Sequence, residues 1–181
     1  MSIEDADLPE EIAWEGKWIV AKRRGKWEYA TRARSIRAAV ILAVEDGEIL
    51  LVEQYRVPMG RRSLELPAGL IGDDDGGEQD NPLSAARREL EEETGYVAEH
   101  WQDCGEFFSS PGMISESFTL LKATGLTKVG EGGGTESEDI TVHRVKLAEF
   151  PQVVADFRAR GIGIDTRMLL ALGPHLLRDV S

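Results

Sequence analysis

Two glutamates one helical turn apart, Glu89 and Glu93, require a chemical explanation. They lie in a predicted helix over residues 82–94. Ala85 stands four residues before Glu89 and Val97 four residues after Glu93, so neither position offers a basic partner. Unpaired like charges at this spacing destabilise a helix by about 0.2–0.5 kcal/mol. Magnesium would explain them, because it takes oxygen ligands and is commonly held by one or two carboxylates with substrate phosphates. Charge spacing alone leaves a metal site and an acidic surface stripe both open.

The other charged residues of this helix fit an ordinary solvated face. Arg87 with Glu91, and Arg88 with Glu92, have the four-residue spacing of surface ion pairs. Glu92 also lies beside the two unpaired glutamates, which makes it a third candidate ligand.

The helix has clear end signals, and the elements around it predict the fold class. Asn81 is a good N-cap, Pro82 suits the first helical position, and Gly95 supplies a C-terminal stop. Helices interrupting a mostly mixed sheet indicate an α/β sandwich rather than a regular βαβ alternation. Strands are predicted over residues 17–23, 26–31, 38–44, 49–55, 63–66, 100–108, 117–123 and 140–147, and further helices over 151–160 and 166–177, the last capped by Asp165.

Composition and charge exclude several classes of function. A formal net charge of −12 would repel a phosphate backbone, so we expect no binding to nucleic acid or to anionic membranes. The sequence contains no long apolar run, and its N-terminus is acidic where a secretory signal would be basic. We therefore expect a cytoplasmic protein. The acidic surplus is concentrated at 73–80, 89–93 and 131–139, so an enzyme acting on a polyanion with this surface would need a cation.

Two segments resemble the signature of the Nudix family. Arg88–Tyr96 reads Arg-Glu-Leu-Glu-Glu-Glu-Thr-Gly-Tyr and matches, without a mismatch, the second half of the Nudix box, Arg-Glu-apolar-x-Glu-Glu-x-Gly-apolar. Leu64–Gly69, Leu-Glu-Leu-Pro-Ala-Gly, resembles the entry to that box. The likeness extends over residues 36–147. It implies a Nudix-type α/β/α sandwich with a mixed sheet over 36–181, preceded by an N-terminal β meander over 1–35.

One departure from the family pattern lies between these segments. Counting back from Arg88 puts Asp80 where the family has a lone glutamate, whereas Glu78 offers that side chain two residues early. The loop over residues 70–79 is longer than the usual one, so the role of the lone glutamate is left open.

The resemblance implies roles for residues of the box. By position, Glu89, Glu92 and Glu93 carry over as ligands of Mg²⁺, with Mn²⁺ as a substitute. Arg88 is similar to the arginine that orients these carboxylates, and the main-chain carbonyl of Ala68 matches a further ligand. Oxygen-only ligands suit a hard divalent cation, so the chemistry and the resemblance agree.

The glycine-rich segment 132–140 resembles the loop that brings a glutamate over the pyrophosphate in ADP-ribose pyrophosphatases. Metal-bound glutamates are poor proton acceptors, so the base for the attacking water must come from elsewhere. By alignment Glu136 matches the proposed base, and Glu138 is the alternative base or an extra metal ligand. Either residue taken singly would also fit an acidic solvent loop.

Further residues indicate the substrate class within the family. Pro111, sixteen residues beyond Gly95, has a spacing that resembles the ADP-ribose pyrophosphatase subgroup, although a loop proline is often just a turn former. Arg56 matches a residue that contacts substrate phosphates, a task that suits the planar guanidinium fork. Trp27 and Tyr29 match aromatic residues that stack on adenine, often across a homodimer, although aromatic residues are also ordinary in strands.

These observations lead us to expect Mg²⁺-dependent hydrolysis of the pyrophosphate bond of a nucleoside diphosphate sugar, ADP-ribose above all, by a homodimer. Three alternatives stay open: hydrolysis of another nucleotide sugar such as GDP-mannose, hydrolysis of a nucleoside triphosphate, and binding of ADP-ribose without cleavage. A binding domain would be expected to have lost a helical glutamate, and this sequence has all of them.

Overall fold

The computed structural model describes residues 4–72, 81–135 and 138–176. In chain order, its strands and helices are β1 Glu11–Glu15, β2 Ile19–Arg24, β3 Trp27–Arg32, β4 Arg37–Glu45, β5 Glu48–Arg56, β6 Arg61–Glu65, β7 Ala68–Ile71, α1 Pro82–Thr94, β8 Tyr96–Phe108, β9 Ser117–Lys128, β10 Thr141–Lys146, α2 Phe150–Ala159, β11 Gly163–Ile164 and α3 Leu169–Leu176.

The strands form two sheets. The first three make an antiparallel meander, β1-β2-β3, as expected for the N-terminal segment. The other eight make a sheet of order β11-β6-β5-β4-β9-β8, in which β10 also pairs with β5 and β7 with β4. The β4–β9 and β11–β6 pairs are parallel and the rest are antiparallel, so the predicted mixed sheet is confirmed.

The larger sheet is covered by helices on both faces. Successive side chains of a strand point to opposite faces, and in β4 Val40 belongs to one core cluster while Ala39 and Ile41 belong to the other. α2 and α3 pack into the cluster of Val40, and α1 packs into the second cluster. The expected α/β/α sandwich is therefore confirmed.

α1 has the bounds that its end signals predict. The Asn81 side chain accepts hydrogen bonds from the backbone N–H groups of Leu83 and Ser84, both at 3.0 Å, and Pro82 occupies the first turn. Gly95 has a φ of 74°, the left-handed conformation that ends many helices. A helix fixed at both ends places its side chains in a defined register against the sheet.

Three strands were missed by the sequence predictions, and each is short or lacks a burial pattern. β1 is exposed along its whole length, so it has no apolar alternation to detect. β7 follows Pro67 and contains Gly69, which predicts a turn. β11 has two residues. The predicted last helix begins with a 3₁₀ turn over Thr166–Met168 that Asp165 caps, as expected, through the N–H of Arg167.

No helix among the described residues is long and apolar enough to cross a membrane.

Candidate active site

Glu89 and Glu93, the two glutamates singled out in α1, face β7. Glu93 is 3% exposed, and its carboxylate accepts a hydrogen bond from the Ala68 backbone N–H at 3.0 Å. Glu89 is half-buried beside Gly69, where any side chain would overlap the Glu89 carboxyl group. Gly69 therefore leaves the space beside β7 that the Glu89 carboxyl group occupies. The structure thus brings together three of the four predicted metal ligands, Ala68, Glu89 and Glu93.

Both carboxyl groups are held where their charge is unfavourable without a cation. Burial raises the pKa of Glu93 to about 8, and the negative charges of Glu89 and Glu138 add to that effect. Burial also raises the pKa of Glu89, with Glu92 and Glu138 adding to it although Arg88 opposes it. A buried carboxylate with so little compensation is normally neutral or bound to a cation. The site therefore has the electrostatics of a cation-binding site.

The donor set fits a hard divalent ion held partly by other ligands. Within residues 4–72, 81–135 and 138–176, no three His, Cys, Asp or Glu side chains converge as a metal-binding group. Glu92, the remaining predicted ligand, lies on the exposed side of α1. Two carboxylates and a backbone carbonyl match the usual protein share of a magnesium site, in which water and substrate phosphates supply the other oxygens.

Arg88 contacts the residue that it was predicted to orient. Its Nη2 lies 3.3 Å from Glu89 Oε1 and donates to the Leu70 carbonyl oxygen at 3.3 Å. The same guanidinium thus links α1 to β7 and restrains Glu89 at the joint between them. These contacts are those of a residue that positions a carboxylate.

The first part of the glycine-rich loop packs against the C-terminal end of α1. Gly133 N–H donates to the Glu93 carbonyl oxygen at 2.8 Å, and Gly134 N–H donates to that of Glu92 at 3.0 Å. The last carbonyl groups of a helix have no partner within it, so the loop satisfies two of them. A side chain at Gly132 would overlap the α1 backbone. Glycines are therefore required where the loop packs against the helix.

Of the two candidate bases, Glu138 is described and Glu136 is outside the described residues. The Glu138 carboxylate accepts hydrogen bonds from Thr135 N–H at 2.8 Å and from Thr135 Oγ1 at 3.1 Å. Its charge also acts on Glu89 and Glu93, so it lies near the predicted metal ligands. Glu78 and Asp80, the candidates for the lone glutamate of the family, also lie outside the described residues.

Arg56, the predicted phosphate contact, is held by a buried glutamate that sequence reasoning missed. Its Nε and Nη2 donate to the two carboxylate oxygens of Glu65 at 2.8 and 2.6 Å, and this bond raises the pKa of Arg56. Glu65 also lies 3.4 Å from Arg167, which Asp165 holds in turn. The Arg56 side chain is nevertheless 41% exposed, so it is both oriented and accessible.

A second buried glutamate, Glu53, was missed in the same way. Arg62 Nε donates to it at 2.7 Å, and His143 Nε2 lies 3.0 Å from its other oxygen. The available signal was a charge within an apolar run, since Glu53 follows Leu50–Val52 and Glu65 stands between Leu64 and Leu66. Because side chains alternate between the two faces of a strand, a charged residue within such a run is instead interpreted as facing solvent.

The predicted aromatic residues meet in a cavity on the N-terminal meander. Trp27, Tyr29 and Pro111 line a cavity of about 410 Å³ together with Glu10 and Arg24. The Trp27 ring is half exposed, and the Tyr29 hydroxyl donates to Glu10. Three of the four predicted substrate-binding residues are thus brought together, whereas Arg56 does not line this cavity.

Known proteins similar to this chain point to one family. The model of the NUDIX domain matches residues 33–160. The chain is 33% identical over 161 residues to an ADP-ribose pyrophosphatase of Bacillus subtilis, a match that covers 84% of each protein. It is 42% identical over 114 residues to an ADP-ribose pyrophosphatase of Mycobacterium tuberculosis, which covers 62% of this chain and 53% of that protein. The chain thus spans about half the length of the second relative.

A solved structure supports the same assignment at the level of the fold. The crystal structure of an ADP compounds hydrolase superposes with a TM-score of 0.66 over 96% of this chain and 94% of that one, at 21% identity. The match to the domain model includes α1, β7 and the glycine-rich loop, the parts that carry the predicted ligands. Nudix proteins generally use divalent cations such as Mg²⁺, which accords with the buried carboxylates of α1. The chain belongs to the Nudix family.

Proposed function

We propose that this chain hydrolyses the pyrophosphate bond of a nucleoside diphosphate sugar with Mg²⁺, converting ADP-ribose to AMP and ribose 5-phosphate. The observation that carries the proposal is the buried, almost uncompensated carboxylate of Glu93 beside Glu89, on a helix with the Nudix pattern. The similarity to two ADP-ribose pyrophosphatases supports the substrate class.

The reaction joins a water oxygen to one phosphorus atom and breaks the bond from that phosphorus to the bridging oxygen. Both products are phosphate monoesters, and the proton of the water goes to a base. A bound Mg²⁺ supplies charge neutralisation at the phosphoryl oxygens. In the proposal Glu89, Glu93 and the Ala68 carbonyl hold the ion, Glu92 completes the protein ligands, and Mn²⁺ can replace Mg²⁺.

Arginines position the reacting groups. Arg88 restrains Glu89, as its 3.3 Å contact supports. Arg56 binds the substrate phosphates, and the bidentate bond to Glu65 fixes the plane of its guanidinium before substrate arrives. Preorganised donors of this kind stabilise developing charge without reorganisation during the reaction.

A glutamate of the glycine-rich loop takes the proton, with Glu136 as the base and Glu138 as a further metal ligand. Glu138 lies closer to β10 and is bonded to Thr135, which suits a fixed ligand. Glu136→Gln should then lower turnover by about 100- to 10,000-fold with nearly unchanged affinity for ADP-ribose. Glu138→Gln should instead raise the magnesium concentration at half-maximal activity. Loss of turnover in Glu138→Gln at an unchanged magnesium midpoint, with Glu136→Gln active, would reverse the roles.

The second copy of the chain contributes the cavity of Trp27, Tyr29 and Pro111 in this proposal. The exposed Trp27 ring supports a stacking role, since an adenine ring can bind across it. Light scattering should return a homodimer, twice the 20.0 kDa chain mass. A monomer whose activity is unchanged on dilution would contradict this part of the proposal.

A substrate panel tests the proposed activity directly. Purified chain is incubated with Mg²⁺ and ADP-ribose, GDP-mannose or ATP, and the phosphate products are separated and identified. AMP with ribose 5-phosphate as the fastest products supports the proposal. A higher kcat/KM on GDP-mannose or ATP would identify that compound as the preferred substrate. Binding of ADP-ribose without products would indicate a binding domain.

A further inference from the structure

Arg62, on β6, joins the sheet to the end of the loop that carries Glu138. Its Nε donates to Glu53 Oε1 at 2.7 Å, and its Nη2 donates to the Glu53 carbonyl oxygen at 3.0 Å. On the other side Nη1 donates to Asp139 Oδ2 at 2.6 Å. Nη2 also reaches the Asp139 carbonyl oxygen at 3.2 Å and Thr141 Oγ1 at 3.4 Å. One guanidinium therefore holds both the side chain and the main chain of Asp139.

The sheet side of this connection is buried and has several basic partners, whereas the loop side is exposed. Glu53 is 5% exposed and also lies 3.0 Å from His143 and 3.8 Å from Arg160. The Asp139 side chain, in contrast, is 83% exposed. The chain after Asp139 is held by the buried Ile140 and by the pairing of Thr141 with β5, so the bonds to Arg62 are what hold the exposed Asp139 side chain itself.

Asp139 directly follows Glu138, so the anchor acts next to a candidate site residue. The other end of the loop is fixed on α1 by the backbone bonds of Gly133 and Gly134. Glu138 thus lies between two attachments, one residue from the second. A lysine could not make this connection, because an ammonium group has no planar fork that bridges two acceptors in fixed directions.

We propose that Arg62 is a positioning residue that sets the place of Glu138 relative to Glu89 and Glu93. This role rests on the proposed function, in which Glu138 is a metal ligand or the alternative base. Partners of metal ligands typically contribute about 10–100-fold to metal affinity or activity, and a misplacement of about 1 Å can cost about 100-fold in rate. Arg62 therefore affects catalysis through Glu138, without touching the substrate.

The test compares Arg62→Met, Arg62→Lys and Asp139→Asn with Arg160→Met. Arg160 also approaches Glu53 but contacts α2 rather than the loop, packing over Phe157 at 4.7 Å, so it is a matched control. Magnesium affinity is measured by calorimetry, and kcat and KM with ADP-ribose. Arg62→Met should change the same quantity that Glu138→Gln changes, magnesium affinity or kcat, by about 10-fold, with KM within about twofold. Arg62→Lys should recover at most part of that loss. Arg160→Met should have magnesium affinity, kcat and KM close to the wild-type values.

A double-mutant cycle separates this role from general stabilisation. If Arg62 acts through Glu138, adding Arg62→Met to Glu138→Gln should cause little further loss, because the positioned group is already altered. Additive losses, an equal loss in Arg160→Met, or wild-type values in folded Arg62→Met would each overturn the inference. If Arg62→Met does not fold, Asp139→Asn weakens the same connection from the exposed side by removing its negative charge, and it should change the same quantity in the same direction by a smaller factor.

Hydrogen exchange makes the inference testable apart from activity. Arg62→Met should speed exchange of the amides of residues 138–141 in the substrate-free protein, while α1 exchanges as in wild type. Unchanged exchange at 138–141 overturns the inference even if the enzyme is active. A wild-type chain that cleaves no substrate of the panel refutes the proposed function, and the exchange result still decides whether Arg62 holds the loop end.

Discussion

Three glutamates are buried in the described part of this molecule, and they differ in what surrounds them. Glu53, Glu65 and Glu93 are 5%, 2% and 3% exposed. The first two sit in basic surroundings. Arg62, His143 and Arg160 approach Glu53, and Arg56 and Arg167 approach Glu65.

Glu93 has no such surroundings. Its carboxylate has one hydrogen bond, from a backbone N–H. The positive charge of Arg56 lowers the pKa of Glu93, but Arg56 is itself already bonded to Glu65. Burying a charge is unfavourable unless it is paired. The paired glutamates therefore hold basic side chains in place, and the poorly paired one is suited to an external cation. Among glutamates of similar burial, the surroundings thus separate those that position arginines from the one suited to bind a cation.

The largest expected effect follows from the unpaired member. Glu93→Gln should lower turnover on ADP-ribose by about 100-fold or more at saturating magnesium, because metal-held charge supplies several kcal/mol of transition-state stabilisation. Steady-state kinetics measures it. Glu91→Gln, exposed on the same helix, is the control and should stay near wild type. Full activity in Glu93→Gln would contradict the assignment of a metal site to α1.

Substitution of a paired glutamate should lower the stability of the protein, whereas substitution of Glu93 should not. Glu65→Gln leaves Arg56 and Arg167 without their shared counter-charge, so the free energy of unfolding should fall by about 1–3 kcal/mol. The melting temperature should drop by about 2–4 °C for each kcal/mol. Thermal denaturation in EDTA checks this, with Glu93→Gln as the comparison, since it should be no less stable than wild type. A larger destabilisation by Glu93→Gln than by Glu65→Gln would abolish the distinction.

Local signals of the sequence were sufficient for α1 and for part of the site. The cap at Asn81, the stop at Gly95 and the spacing of Glu89 and Glu93 all depend on residues within one helix. Such signals act over a few residues and can be read directly. The approach of Ala68 to Glu93, in contrast, was expected through the resemblance to the family, because β7 itself was not predicted.

The paired glutamates could not be found from the sequence because their partners lie on other elements, whose register against β5 and β6 is not known in advance. Arg56 and Arg62 lie nine residues from Glu65 and Glu53 but on the adjacent strand, and Arg167 is 102 residues from Glu65. No spacing rule connects such residues before the sheet order is known. A glutamate on a strand therefore looks solvent-facing until its partner is placed.

The last expected effect is the pH dependence of stability in the metal-free protein. Glu93 ionises near 4.5 in the unfolded chain and near 8 in the folded one, so between these values the folded state binds more protons. The free energy of unfolding from this group must then fall as pH rises from about 5 to about 8, with a slope of at most about 1.4 kcal/mol per pH unit.

Melting temperatures in EDTA between pH 6 and 8 measure that slope. Glu93→Gln should be less pH-dependent than wild type, although a residual slope should remain because burial also raises the pKa of Glu89. Mg²⁺ should stabilise wild type more at pH 8 than at pH 6, since the ion binds the ionised carboxylates and displaces protons. Glu91→Gln should keep the wild-type slope. Equal slopes in Glu93→Gln and wild type would mean that Glu93 ionises normally, and the electrostatic argument for a cation beside it would be lost.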